Sequence, residues 1–194
     1  MFTLEGNLRF IKIDLDYIKS LHDVCAEVFY RPNNYENKPY IGLLVSCDGY
    51  KYAIPLTSAK KKHLTWRDID NDRFLIFEMA DRKYLNEKDI WKADNVPGEP
   101  KVKHILSAID LKKMIPVRDD IITQVDFNPD PKDDADTKKY KELLDKEYRF
   151  CIKIKGDILH RASRLYDKQI KTGKIAMFCC DFKKLEAIAD NYST

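Results

Sequence analysis

No apolar run in this 194-residue chain approaches the roughly 20 residues needed to span a bilayer. The stretch from Met1 to Phe10 lacks the basic-then-apolar layout of a secretory leader, so a soluble, cytoplasmic protein is expected. Glycine is scarce, with six residues scattered singly, and no glycine-rich loop precedes a helix, which argues against a nucleotide cradle. The five cysteines are an odd number without CxxC spacing and indicate neither a disulfide framework nor a zinc site. They read as small core residues. Four histidines lie far apart without an HExxH pair, so no metal or other cofactor is expected. No nucleophile elbow surrounds Ser58. An excess of positive charge is also missing: at +3 the net charge demands no polyanionic partner, and only a local concentration of cations would supply one.

What is present is a globular composition, 44% hydrophobic, 35% charged and 11% aromatic. Leu8 to Ile13 reads as a strand, and Asp14 or Asp16 as the cap of a helix through Cys25, whose apolar residues fall on one stripe. The turn-rich run 30–39 is a loop. Tyr40 to Cys47 is continuous and apolar enough to be a central strand, and Asp48-Gly49 then signals a hairpin into the alternating strand Tyr50 to Leu56. Pro55 cannot donate to a ladder, so that strand is expected to be an edge there or to be ending. Further strands are expected at Arg73 to Met79, Ile105 to Ile109, just after Leu111, and at Ile121 to Phe127, with a polar insertion over 80–102. Residues 128 to 136, rich in proline and aspartate, form a linker, after which the apolar spacing becomes helical. Gly156 either divides two helices or sits inside one. Gly173 reads as a C-terminal cap, Ile175 to Cys179 as a last short strand, and Asp181 as the N-cap of a helix through Tyr192. The fold class is α+β, a strongly twisted, mainly antiparallel sheet with packed helices.

Chemistry concentrates where the Tyr50 strand ends, at Thr57, Ser58, Lys60, Lys61, Lys62 and His63. Hydroxyls and ammonium groups at this density hold and polarise a phosphate. Cleaving RNA by attack of the adjacent 2′-OH requires deprotonating that hydroxyl, stabilising the non-bridging oxygens and protonating the leaving 5′-oxygen. Thr57 and Ser58 can donate to the phosphate and Lys60 can neutralise its developing charge. A lysine serves as acid or electrostatic stabiliser unless its pKa is lowered, which makes His63 the easier base. Tyr35 and Lys38, in the loop before the hairpin, form a second candidate group. Trp66 and Tyr17 can stack bases, the usual way single-stranded RNA is held. The plainer reading of the same residues is a polar loop, solvated lysines and ordinary core aromatics.

Several segments together resemble the ToxN/AbiQ family of type III toxin–antitoxin endoribonucleases, and within it the CptN-like branch. They are Phe10-Ile-Lys-Ile-Asp-Leu-Asp-Tyr17, Lys38-Pro-Tyr-Ile-Gly42, Lys51-Tyr-Ala-Ile-Pro-Leu-Thr-Ser-Ala-Lys60 with His63, and Leu111-Lys-Lys-Met-Ile-Pro-Val117. The resemblance implies a Kid/MazF-like sheet core and metal-independent cleavage of messenger RNA to a 2′,3′-cyclic phosphate and a 5′-OH. It further implies inhibition by a repeat-derived RNA pseudoknot antitoxin that closes protein and RNA into a ring. It assigns Thr57, Ser58, Lys60 and Lys38 to the catalytic site, with Tyr35 offset by one residue from the family's loop tyrosine. RNA contacts would come from Tyr17, Lys61, Lys62, His63 and Trp66. Residues 1–194 would then form one toxin domain, a sheet core to about 127 and a helical part from about 137, with neither membrane nor DNA as partner. Two other classes fit the residues: a module that binds structured RNA without cutting it, and a protein-interaction domain.

Overall fold

Residues 1–4, 8–30, 42–47, 49–93 and 101–192 are described by the computed structural model. Along them run β1 (Phe10–Ile13), α1 (Leu15–Val24), β2 (Gly42–Cys47), β3 (Tyr50–Ser58), β4 (Arg73–Asp81), β5 (Trp91–Ala93), β6 (Lys101–Asp110), β7 (Ile115–Val117), β8 (Ile122–Gln124), α2 (Ala135–Thr172) and α3 (Phe182–Asn191). The described strand pairs are antiparallel, as the α+β reading requires. The chain gathers into two compact units. One comprises Met1–Leu56, Asp110–Val125 and Lys155–Thr194, the other Thr57–Ile109 and Asp126–Ile154. Each combines strands with part of α2, so the division does not follow the linker at 128–136.

The first unit is built on the order β3-β2-β1-β8, with β7 also paired to β3. The Asp-Gly signal does produce the hairpin: Cys47 lies opposite Tyr50, and Gly49 takes the positive φ of 87° that its turn requires. Gly42 lies opposite Pro55 in the same pair, and a Cβ on Gly42 would stand 3.1 Å from that of Ala53, a contact tight enough to push the strands slightly apart. Asp14 caps α1 by accepting from the Tyr17 amide. The core is aromatic. Phe2, Tyr52, Tyr166 and Phe182 are buried against one another at centroid distances of 5.3 to 6.1 Å. Inside it, one oxygen of the buried Glu186 accepts from the hydroxyls of Tyr52 at 2.6 Å and Tyr166 at 2.7 Å. Cys47, Cys179 and Cys180 are buried here and form no disulfide, and Cys25 is half-buried.

The second unit centres on β6, with β4 and β5 as neighbours. Leu75, Ile105 and Ala108 are buried, and Ala59, Trp66, Phe77 and Ile90 pack on them. The first stretch of α2 presents Leu144, Glu147 and Cys151, spaced three and four apart, as its buried stripe.

Three expectations need correction, and one open alternative is decided. β3 does not stop at Pro55 but runs on to Ser58, because beyond the proline β6 holds the chain: the Ala59 amide donates to the Leu106 carbonyl at 3.3 Å. The insertion is not all loop, since it contains β5, and β6 begins at Lys101. Gly156 sits within one 38-residue helix. Ile175 to Cys179 is not a strand: residues 174–178 are exposed and belong to no ladder, and the Cys179 amide closes a turn on the Ala176 carbonyl. The start of the second strand, at Tyr40 and Ile41, lies outside the described residues.

Burial pushes the Glu147 carboxyl up to about 7, with Ser107 opposing the shift only in part. The folded value lies above the unfolded one. Its contribution to stability is therefore complete below about pH 4.5 and is lost as the pH rises through 7, by on the order of 3 kcal/mol. Glu147→Gln should flatten the denaturant-derived stability curve between pH 5 and 8, and an unchanged slope would show that another group carries it. A methyl group at Gly156 would meet nothing within 4 Å, so Gly156→Ala should raise stability by about 0.5–1 kcal/mol in thermal unfolding.

Candidate functional site

Extended backbone sends successive side chains to opposite sides, and that alternation persists from Thr57 through Lys60, whose φ of −141° and ψ of 156° are those of a strand. Thr57 and Ala59 turn toward β6: the Thr57 hydroxyl donates to the Ala108 carbonyl at 3.4 Å, and Ala59 packs into the apolar cluster. Ser58 and Lys60 turn the other way and are exposed. The strand end thus brings together one hydroxyl and one ammonium, two residues apart, and sets Thr57 behind them.

The next five residues, Lys61–Thr65, wind into a short 3-10 turn that fixes Lys60 from its C-terminal side. The His63 amide donates to the Lys60 carbonyl at 2.8 Å, and the Lys60 amide donates to His63 Nδ1 at 3.2 Å. Nδ1 must therefore be the unprotonated nitrogen, leaving the proton on Nε2. His63 is fully buried, and Nε2 finds no hydrogen-bond partner among the described residues. Burial first, and the charges of Lys62 and Lys60 second, hold its pKa down at about 4. The structure therefore makes His63 a neutral brace of the Lys60 turn, not a residue that reaches RNA or takes a proton from it.

Trp66 closes the turn. Its ring lies 4.6 Å from that of His63, 4.4 Å from the Arg73 guanidinium and 5.3 Å from the Lys62 ammonium. The ring gathers cations instead of offering a bare face to a base. Behind it Lys92 donates to the Trp66 carbonyl at 3.0 Å, and Asp68 pairs with both Lys92 and Lys103. Burial alone would raise Asp68, but hydrogen bonds from those two lysines leave it below the usual carboxylate value. Lys61 and Lys62 are exposed on the turn.

Tyr17 is fully buried in the first unit, its hydroxyl donating to the Pro116 carbonyl at 2.8 Å and its ring edge-on to Tyr192 at 4.9 Å. With no exposed face it packs a core and does not present a surface for stacking; the apolar stripe of α1 outweighs its aromatic character. Tyr35 and Lys38 lie outside the described residues. Sequence reasoning missed Arg73, Lys92 and Lys103, whose signal is a cross-strand one: Lys92 stands opposite Lys103 in the β5–β6 register. In the first unit, a cavity of about 580 Å³ is lined in part by Tyr50, Lys51, Arg118, Asp119, Asp120 and Asp190. These charges pair with one another: Lys51 with Asp119, Arg118 with Asp120, and Tyr50 with Asp190. Among the described residues no three His, Cys, Asp or Glu side chains converge as a metal site.

An exposed hydroxyl and ammonium on one face of a braced strand end, with further cations gathered on the adjoining turn, make an anion-facing site on an α+β protein. The chain matches the family model for the toxin ToxN of type III toxin–antitoxin systems over residues 9–190, and it belongs to that family. It is 23% identical to the endoribonuclease ToxN of Bacillus thuringiensis subsp. kurstaki, over 98% of this chain and 87% of that protein. It is 28% identical to the endoribonuclease AbiQ of Lactococcus lactis subsp. lactis, over 98% and 92%. A solved type III toxin that is selectively inhibited by a non-coding RNA pseudoknot superposes with a TM-score of 0.67 at 21% identity, covering 96% of this chain and 98% of that one. The fold is therefore that of the family.

Because the His63 value is depressed, its contribution to stability is present above the ordinary histidine range and is lost as the pH falls from about 6.5 through 4. His63→Phe should abolish that acid-side slope. It should also speed amide hydrogen exchange at Lys60, measured by NMR, since the acceptor of that N–H is gone. Unchanged exchange at Lys60 would refute the bracing role.

Proposed function

We propose that this protein is the toxin of a type III toxin–antitoxin system and acts as an endoribonuclease on RNA in the cytoplasm. The observation that carries the reading is the shared outward face of Ser58 and Lys60 at the braced end of β3, in a chain that belongs to the ToxN family. The 2′-oxygen of a nucleotide attacks the adjacent phosphorus, the bond to the 5′-oxygen breaks, and the products are a 2′,3′-cyclic phosphate and a 5′-OH. Negative charge gathers on the non-bridging oxygens along this path. The Ser58 hydroxyl donates to one of them and the Lys60 ammonium neutralises the charge, both held in place before substrate arrives. Thr57, bonded to Ala108, fixes the strand behind them. Lys38 and Tyr35 complete the site by their positions in the motif, with Lys38 a second cation on the phosphate. Lys61 and Lys62 lie where the RNA backbone continues past the scissile bond. No step requires a metal.

An RNA pseudoknot is the inhibitor in the related toxin named above. For this chain we assign the same kind of partner, a small repeat-derived RNA whose backbone occupies the Ser58–Lys60 face and which closes protein and RNA into a ring. Its affinity should fall steeply with salt, because each lysine–phosphate contact releases a counterion.

The test incubates purified protein with RNA in EDTA and maps the ends of the products. Cleavage should persist, leaving cyclic phosphates and 5′-hydroxyls, and Lys60→Ala should slow it about 10²–10³-fold with the fold intact. Loss of cleavage on chelation would overturn the metal-free mechanism. Tight, salt-sensitive binding of RNA that stays intact would instead favour a module that sequesters RNA without cutting it.

A further inference from the structure

α2 and α3 are joined by a segment whose chemistry the RNA-cleaving face does not use. Gly173 ends α2 with a φ of 65°, its amide donating to the Gln169 carbonyl. Ala176 to Cys179 then form a turn, closed at 3.0 Å from the Cys179 amide to the Ala176 carbonyl. At the third position of that turn Phe178 adopts a φ of 62°, the one positive φ found for a non-glycine residue among the described residues. A turn with positive φ there is the type II form, which selects glycine or asparagine. Phenylalanine is strained in that conformation. Its ring is also left 63% exposed, next to Met177 at 75% and close to Ile175 at 48%. Two features that work against folding, a left-handed aromatic and an exposed apolar tip, thus coincide on one residue.

The turn is held firmly. Gln169 Nε2 donates to the Cys180 carbonyl at 2.9 Å, and Gln169 Oε1 accepts from the Phe182 amide at 2.7 Å. The Cys180 amide donates to the Lys112 carbonyl at 2.8 Å, and Cys179 and Cys180 are buried. The aromatic tip therefore stands on a fixed base. Its flanks are cationic: from 167 to 184 the sequence has five lysines, at 168, 171, 174, 183 and 184, all exposed, against two carboxylates, Asp181 and Asp167, the latter 4.0 Å from the Lys171 ammonium. Asp181 is itself engaged in capping α3.

We propose that the Met177–Phe178 turn is a second RNA-contacting surface, on which an unpaired base stacks against Phe178 while the flanking lysines meet the adjoining phosphates. The chemistry selects single-stranded nucleic acid over an apolar protein partner, because an exposed π-face in a lysine-rich stretch of chain suits a base carried on a polyanion. This inference rests on the reading of the protein as one that acts on RNA.

The test measures binding of the full-length protein to a single-stranded oligouridylate with 2′-O-methyl groups, which blocks attack by the 2′-oxygen and separates binding from cutting. Phe178→Gly should weaken binding about tenfold while the thermal midpoint rises or holds, since glycine relieves the left-handed strain. Phe178→Leu should lose comparable affinity, the apolar bulk being kept and the ring lost. Lys174→Gln with Lys183→Gln should make the dependence of affinity on salt shallower. Cleavage of a 2′-hydroxyl RNA by the unaltered protein is scored in parallel. If that protein cleaves and Phe178→Gly binds as tightly as it does, this inference alone is overturned. Failure of the unaltered protein to cleave, with binding still dependent on Phe178, overturns the nuclease reading and leaves this surface standing. If Phe178→Gly changes the protein's own mass in solution without altering RNA affinity, the turn is a protein contact and the inference is overturned.

Discussion

Glu186 is the point on which the first unit closes. A buried carboxylate is unfavourable unless its oxygens are met by donors, and here one oxygen receives the hydroxyls of both Tyr52 and Tyr166. Those bonds fasten α3 to β3 and to the second half of α2, and the four-ring cluster of Phe2, Tyr52, Tyr166 and Phe182 packs around them. Removing the carboxylate would leave two buried phenols without acceptors, and removing either phenol would leave the charge half-satisfied. β3 is also the strand that leads out to Ser58 and Lys60. The anchor at Tyr52 thus sets the start of the strand whose end carries the site.

At that end the constraint is different in kind. Ser58 and Lys60 share a face because the backbone stays extended through Lys60, five residues past the proline expected to end the strand. The reciprocal bonds between Lys60 and His63 then stop the extension and turn the chain. The histidine serves by remaining neutral, as its burial enforces. Trp66 adds a second kind of organisation, drawing Lys62 and Arg73 to its ring so that mutually repelling cations stay close together.

Much of this was legible in the sequence, because local rules and tertiary packing agree over it. The Asp48-Gly49 hairpin, the Asp14 and Asp181 caps, the Gly173 terminus and the alternation of β3 each follow from one short pattern with one physical cause. The Thr57-Ser58-x-Lys60 cluster stood out by composition and by its likeness to a family motif. What could not be read locally was which side each of those residues faces, and that separates Thr57 from Ser58. Nor could burial be read residue by residue. His63 and Tyr17 carry the chemistry of binding residues, yet both are fully enclosed by segments distant from or adjacent to them in ways that spacing alone does not encode. The strand expected at Ile175 to Cys179 failed for a related reason, since apolar residues in sequence need a partner strand to become a ladder, and there is none at that turn.

The pairing of Tyr52 with Glu186 spans 134 positions of sequence. At a synthesis rate of about 5–20 residues per second, Tyr52 leaves the peptidyl transferase centre on the order of ten seconds before its acceptor has been made. Phe182, which completes the ring cluster, comes equally late. The first unit therefore cannot close its aromatic core until α3 has been made, although the β2–β3 hairpin can pair long before. For the first unit, then, the last stretch of sequence decides when the core can close.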